Sequence, residues 1–174
     1  MLDALDQEIL KALQEDGRMS NKELAAKIDL AQSATSERLR KLRERGLIQR
    51  FEVRMDAARL GFGLVAFIFV RTNELPDGAR IGETLAEAPE VQEVFNVAGE
   101  DCYLIKVRVA SPEALGRLLR ERIGVIESVV STRTTIVMET YKETCKLPLC
   151  QLQSNGANGP TGDPVQAVNG RRGG

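Results

Sequence analysis

The sequence predicts an α+β fold in two unlike parts, a three-helix N-terminal half closed by a strand and a C-terminal half of βαββαβ order. Three observations predict it. Apolar residues recur at helical spacing in three separate runs between Leu2 and Leu42. At 48–55 the period drops to two, with Phe51, Val53 and Met55 alternating with Arg50, Glu52 and Arg54. From residue 64 onward, apolar strand-like runs alternate with two short segments of helical spacing.

The first helix spans 2–15, with Leu2, Leu5, Ile9, Ala12 and Leu13 on one face and Gly17 as its stop. "SNKE" at 20–23 reads as a capping box, Ser20 accepting from a first-turn amide while Glu23 reaches back. The second helix buries Leu24, Ala25 and Ile28 and ends near Ile28. After a turn of about three residues, a third helix runs from Gln32 to Arg45 over buried Thr35, Leu39 and Leu42. Gly46 stands where a left-handed cap is needed. "IQRFEVRM" then forms a strand with one wet face.

"DAARLGFG" at 56–63 is a connector, and "LVAFIFVRT" after it is a strand buried on at least one face. A helix over 77–87 carries Ile81 and Leu85. "VQEVFNV" at 91–97 and "YLIKVRV" at 103–109 are strands joined by "AGEDC". The helix of 111–122 opens on Ser111 as cap and Pro112 at its first position. "VIESVVSTRTTIVMETY" supplies the last strand, with a kink expected at Ser131. This order is the ferredoxin-like arrangement. From Lys146 the chain loses apolar periodicity and fills with Gly, Asn, Gln and Pro, the composition of a disordered tail. The expected organisation is 1–55 helical, 56–63 linker, 64–145 βαββαβ and 146–174 tail.

Composition excludes several activities. The 174 residues contain no histidine, which removes the commonest general base, the usual transition-metal ligand and any Ser/His or Cys/His pair. Cys102, Cys145 and Cys150 are odd in number and lack CxxC spacing, so free thiols are expected, with Cys102 a small packed side chain whose thiolate is disfavoured by two neighbouring acids. An enzyme of the dimeric α+β barrel type shares the βαββαβ order, but clustered carboxylates and a phosphate loop are lacking. An RNA-binding module of the same topology needs more aromatics on its central strands than "YLIKVRV" offers. No cofactor or metal is expected. Without a signal segment or an apolar run longer than "LVAFIFV", a cytoplasmic protein is expected.

The net charge of −1 hides a local asymmetry. Residues 1–30 carry four Lys/Arg against seven Asp/Glu, whereas residues 31–59 carry eight against four, and it is the second segment that would attract an anion. Three helices, a tight turn between the second and third, and an alternating strand make a winged helix-turn-helix, whose third helix enters the DNA major groove. Its early side chains reach base edges while Arg and Lys meet phosphates.

"LDALDQEILKALQEDGRMSNKELAAKIDLAQSATSERLRKLRERGLIQRFEVRMDAARLG" resembles, over its whole length, the DNA-binding half of the Lrp/AsnC family, the feast/famine transcription regulators. The resemblance extends over about 2–145, and the ordered set Leu-Asp, Asp-Gly-Arg, Arg-Leu-Arg-Lys-Leu and Gly-Leu-Ile is specific. It implies a sequence-specific DNA-binding regulator modulated by a small effector, a free amino acid. The alternative is a ligand-sensing oligomer with weak or architectural DNA binding. Carried over residue by residue, the resemblance puts Gln32, Ser33, Ser36 and Arg40 at bases, with Arg38, Lys41 and Arg50 on or near phosphates. The family usually has Ser as the cap of this helix where the present chain has Ala31, so Ser33 is the expected replacement cap and a later helix start is expected.

A four-stranded sheet with both helices on one side leaves its other face uncovered, and the apolar strands suggest that this face is not wet. Homodimerisation through it is expected, and the resemblance implies further assembly to octamers or other higher forms. A dimer would present two recognition helices to a roughly palindromic duplex site. In the family, a loop usually reading Gly-Asp-x-Asp-Tyr binds the amino acid at the interface between dimers. Here it reads "GEDCY", with Gly99 and Tyr103 matching, Glu100 a conservative change and Cys102 in place of the second acid. The implied effector site is Gly99, Glu100, Asp101 and Cys102, with Thr132, Thr134 and Ile136 from the last strand. Glu100 or Asp101 would face the ammonium group, and backbone amides the carboxylate.

Overall fold

The computed structural model describes residues 2–73 and 79–149. The described residues divide into two compact units, 2–52 together with 144–149, and 53–143 without 74–78.

The first unit holds α1 (Ala4–Glu15), α2 (Asn21–Lys27) and α3 (Gln32–Glu44). Both α1 and α2 start on reciprocal capping boxes, Asp3 with Asp6 and Ser20 with Glu23. Ile9, Ala12, Leu24, Leu39 and Leu42 form the buried core, one apolar edge from each helix. Gly46 closes α3 at φ +70°, the left-handed conformation expected of it. Two expectations are corrected here. The third helix begins at Gln32 with Ala31 as its N-cap and no side-chain cap bond, so neither Ser33 capping nor a later start occurs. Thr35 N–H donates to the Ala31 carbonyl, and that first backbone bond sets the start. Residues 48–55 form no strand. Phe51, Val53 and Met55 are 47, 85 and 67% exposed instead of sharing a buried side. A strand needs a neighbouring edge for its backbone groups, and among the described residues no strand pairs with this segment.

The second unit follows the expected order: β1 (Leu64–Thr72), α4 (Ala79–Ala86), β2 (Val91–Asn96), β3 (Tyr103–Val109), α5 (Pro112–Leu118), a π turn (Leu119–Ile123) and β4 (Val129–Ile136). The strands form one antiparallel sheet in the order β2-β3-β1-β4. Ala66, Ile68 and Val70 of β1 and Ile105 and Val107 of β3 are buried with Ile81 and Leu85 of α4 and Leu115 and Leu118 of α5. The last strand is shorter than its apolar run suggested, and its pairing with β1 slips between Ser131 and Val129, next to the expected kink.

The other sheet face is mixed rather than apolar. Alternation puts Phe67, Phe69, Leu104 and Phe95 on it together with Lys106, Arg108, Arg133 and Glu93. Glu143, on the segment after β4, bonds Lys106, reaches Arg108 at 3.1 Å and lies 3.7 Å from Arg54. Burial works to lower the Lys106 pKa, but hydrogen bonds to Glu143 and Glu93 raise it above the ordinary lysine value. The expected disordered tail falls, from residue 150 on, outside the described residues; before it, Gln14 of α1 accepts from the Leu147 N–H and donates to its carbonyl.

Candidate DNA-reading helix and effector loop

Helix α3 turns Thr35, Leu39 and Leu42 inward, and Gln32, Ser33, Arg40 and Lys41 are exposed. Among the described residues, Gln32 and Ser33 side chains make no hydrogen bond to the rest of the chain, which leaves both free at the start of the helix. Ser36 is half-buried and engaged, donating to the Gln32 carbonyl at 2.9 Å and accepting from the Asn21 amide at 3.1 Å. Asn21 thus ties the first turn of α2 to α3.

Arg40 lies between two acids of its own helix, bonded to Glu37 at 2.6 Å and to Glu44, and these hold its pKa above the ordinary arginine value. Lys41 sits 3.5 Å from Glu37. Exposed pairs of this spacing are screened by solvent and contribute far less than a fully buried aliphatic side chain, which is worth about 1.5–3 kcal/mol. The buried edge therefore holds α3 in place, and its outer cations can exchange carboxylate for phosphate at little cost. Arg50 is exposed and pairs with Glu52 at 2.5 Å.

Arg38 departs from its expected phosphate role. Its guanidinium donates to Asp3 at 2.6 Å and Asp6 at 2.8 Å, joining α3 to the capping box of α1. Asp3 and Asp6 raise the Arg38 pKa, while the Asp6 amide and then Arg38 lower that of Asp3. Arg43 lies 5.3 Å from the Phe51 ring centroid, which holds the chain leaving α3 close to the helix. Asn21, the two aspartates and Arg43 were missed in the sequence. Asp3-x-x-Asp6 before an apolar run was the legible signal for the two aspartates, which form the capping box of α1.

In the second unit, the loop 97–102 joins β2 to β3. Val97 N–H donates to the Cys102 carbonyl, and Cys102 N–H to Val70 on β1, both at 3.0 Å. Gly99 has φ +136°, and a Cβ built there meets nothing within 4 Å, so backbone conformation rather than crowding asks for glycine. Glu100 is exposed and makes no ion pair among the described residues; Asp101 pairs with Arg133 of β4 at 3.0 Å. Tyr103 is buried against α4, where a Cβ on Gly82 would come within 3.3 Å of its ring.

Cys102 is packed against the sheet core, as expected of a small side chain. Its Sγ donates to the Thr72 carbonyl at 3.8 Å, and hydrogen bonding with Thr72 lowers the thiol pKa against the opposing effects of burial and Asp101, where the two acids alone were expected to disfavour the thiolate. Thr132, Thr134 and Ile136 share one face of β4, the side toward the helices. Thr132 pairs with Val70, which pairs with Tyr103, so it lies at the loop end of the sheet. Ile136 pairs with Ala66, four residues or about 13 Å further along. One chain alone does not bring Ile136 to the loop.

Comparison with known proteins bears on both regions. Residues 2–49 match the family described as winged helix-turn-helix DNA-binding, and residues 65–147 match the Lrp/AsnC ligand binding domain. The chain is 38% identical to the HTH-type transcriptional regulator FL11 of Pyrococcus horikoshii over 85% of its own length and 97% of the relative's. The chain belongs to the Lrp/AsnC family. This Lrp/AsnC protein is also 34% identical to the leucine-responsive regulatory protein of Escherichia coli, over 84% of its own length and 90% of that protein. The crystal structure of a Neisseria meningitidis transcriptional regulator in complex with L-Met superposes with a TM-score of 0.80 at 29% identity, covering 87% of this chain and 99% of that one. The family and these relatives are transcriptional regulators, not enzymes, and the Lrp/AsnC chain is a DNA-binding regulator with a ligand-binding domain. Among the described residues no helix is long and apolar enough to cross a membrane, and no group of His, Cys, Asp or Glu could hold a metal ion.

Proposed function

We propose that the regulator reads duplex DNA with the start of α3, Gln32, Ser33 and Arg40 at base edges, Ser36 at the margin, and Lys41 and Arg50 on phosphates. The observation that carries this reading is the free, solvent-facing pair Gln32 and Ser33 at the tip of a helix whose opposite edge is buried. Arg38 is assigned to holding α3 on α1.

Operator binding is modulated by a free amino acid held by the loop 99–102 with Thr132 and Thr134. The L-Met complex of the Neisseria regulator supports an amino acid as the ligand class. Ile136 joins that site only from another chain, in keeping with a site between subunits. The protein acts in the cytoplasm as a homodimer formed through the open sheet face and assembled further to an octamer or other higher form. Functionally, 1–55 reads DNA, 56–63 links, 64–145 binds effector and assembles, and 146–174 is a tail.

Gel shifts with DNA upstream of the protein's own gene, at about 0.15 M salt with and without a mixture of amino acids, test the reading. A sharp shift altered by the mixture is expected, and Arg40→Ala should weaken it roughly tenfold while leaving the oligomer intact. Loss of the oligomer in that variant would make Arg40 structural. An effector-responsive protein with no specific shift would instead be a ligand-sensing oligomer with architectural DNA binding.

A further inference from the structure

The loop 97–102 carries two adjacent acids, and the structure uses them differently. Asp101 is half-buried and bonded to the Arg133 guanidinium at 3.0 Å, whereas Glu100 is exposed and makes no ion pair among the described residues. Arg133 stands on β4 at the edge of the sheet; Phe69, on the intervening β1, is paired with Arg133 on one side and Leu104 on the other. The Arg133 guanidinium lies 3.9 Å from the Phe69 ring centroid, so it spans β1 flat on the aromatic ring to reach the acid at the start of β3.

We propose that Phe69, Arg133 and Asp101 form a clasp that positions the effector loop, and that Glu100 alone is the acid left for the cationic group of the effector. The inference rests on the reading of 99–102 as the effector loop. Its physical basis is that a carboxylate already committed to a stacked guanidinium is a poor receptor for a second cation, because binding one means releasing the other. Arg133 is a positioning residue. It also joins the loop to the strand that carries Thr132 and Thr134 on its other face, so loop movement is felt at that edge.

The test uses the full chain and the variants Arg133→Met, Asp101→Asn, their combination, Arg133→Lys and Glu100→Gln. Hydrogen exchange of the Val97 and Cys102 amides, the hydrogen-bonded N–H groups at the two ends of the loop, reports the clasp directly without ligand. Each single change should speed exchange about five- to tenfold. The double variant should match the singles, because both remove one interaction, and Arg133→Lys, which keeps the charge but not the stacking plane, should recover part of the protection. Exchange unchanged in the singles, or additive in the double, overturns the clasp. Calorimetric titration with L-methionine and the other common amino acids, one at a time, then separates the acids. Glu100→Gln should abolish binding, and Asp101→Asn should weaken it no more than Arg133→Met does. Abolished binding in Asp101→Asn with exchange unchanged would make Asp101 the ligand group and refute the proposal. If no amino acid binds the unaltered protein while exchange still responds, the clasp stands and the effector reading fails.

Discussion

Two arginines two positions apart on α3 behave as opposites. Arg38 turns toward α1, where Asp6 is only 7% exposed, and Arg40 faces solvent between Glu37 and Glu44. An acid as covered as Asp6 needs its partner, since removing one member of a shielded pair leaves the other unsatisfied. Arg38→Met should therefore lower the melting temperature of the protein by a few degrees, read by circular dichroism, whereas Arg40→Ala should leave it unchanged and act on DNA affinity alone. Basic residues on a helix are legible in a sequence, but their direction is not. A 100° step per residue separates neighbours, yet which long side chain folds back depends on an acid more than thirty residues away.

At the scale of elements, capping chemistry explains where α1, α2 and α5 begin, each on a side-chain cap, whereas α3 begins without one. Ala31 sits at φ −62° and ψ 141°, an extended cap geometry that a serine can adopt, but its methyl group cannot accept the first-turn amides. Ala31→Ser should stabilise the protein by about 1 kcal/mol in denaturant unfolding. A change with no gain would show that another group already satisfies those amides. The segment 48–55 shows the converse. Its alternation is as regular as that of β3, but β3 lies between two strands and 48–55 beside none. Periodicity reports which residues would share a face and is silent on whether an edge is present to receive them. The π turn after α5 is a third case, in which Leu118 and Ile123, five residues apart, are both buried. Its five-residue register stacks them on one side, as α-helical spacing would not.

Across the βαββαβ unit, Glu143 gathers three cations from two places, Lys106 and Arg108 on β3 and Arg54 before β1. Its pKa is held below the ordinary 4.5, chiefly by the hydrogen bond from Lys106, with burial opposing. A depressed carboxylate stabilises the fold at pH above its unfolded value and loses that contribution as pH falls through the folded one. Lys106, raised above 10.5, stabilises below that value and loses its contribution as pH rises through its folded pKa. The pair is thus at full strength between 4.5 and 10.5. Glu143→Gln should lower the melting temperature at neutral pH, and the difference from the unaltered protein should shrink toward zero as the pH falls below 4.5 and through the lowered folded value. A difference that persists there would assign the effect to packing rather than charge.

What the sequence by itself determined is the local grammar: helix spans, the Ser20 and Ser111 caps, the glycine stop after α3, the succession of helices and strands along the chain and the family to which these residues point. Those features depend on neighbours within a few residues, and spacing records them. Tertiary structure alone decided which charges were spent and which were available. Arg38 was committed to Asp3 and Asp6, Asp101 to Arg133, and Glu143 to Lys106, in each case by residues more than thirty positions apart. Ion pairs obey distance in space, and chain folding sets that distance. The same reason separates Glu100 from Asp101: adjacent in sequence, they were equal candidates until the fold brought Arg133 to one of them.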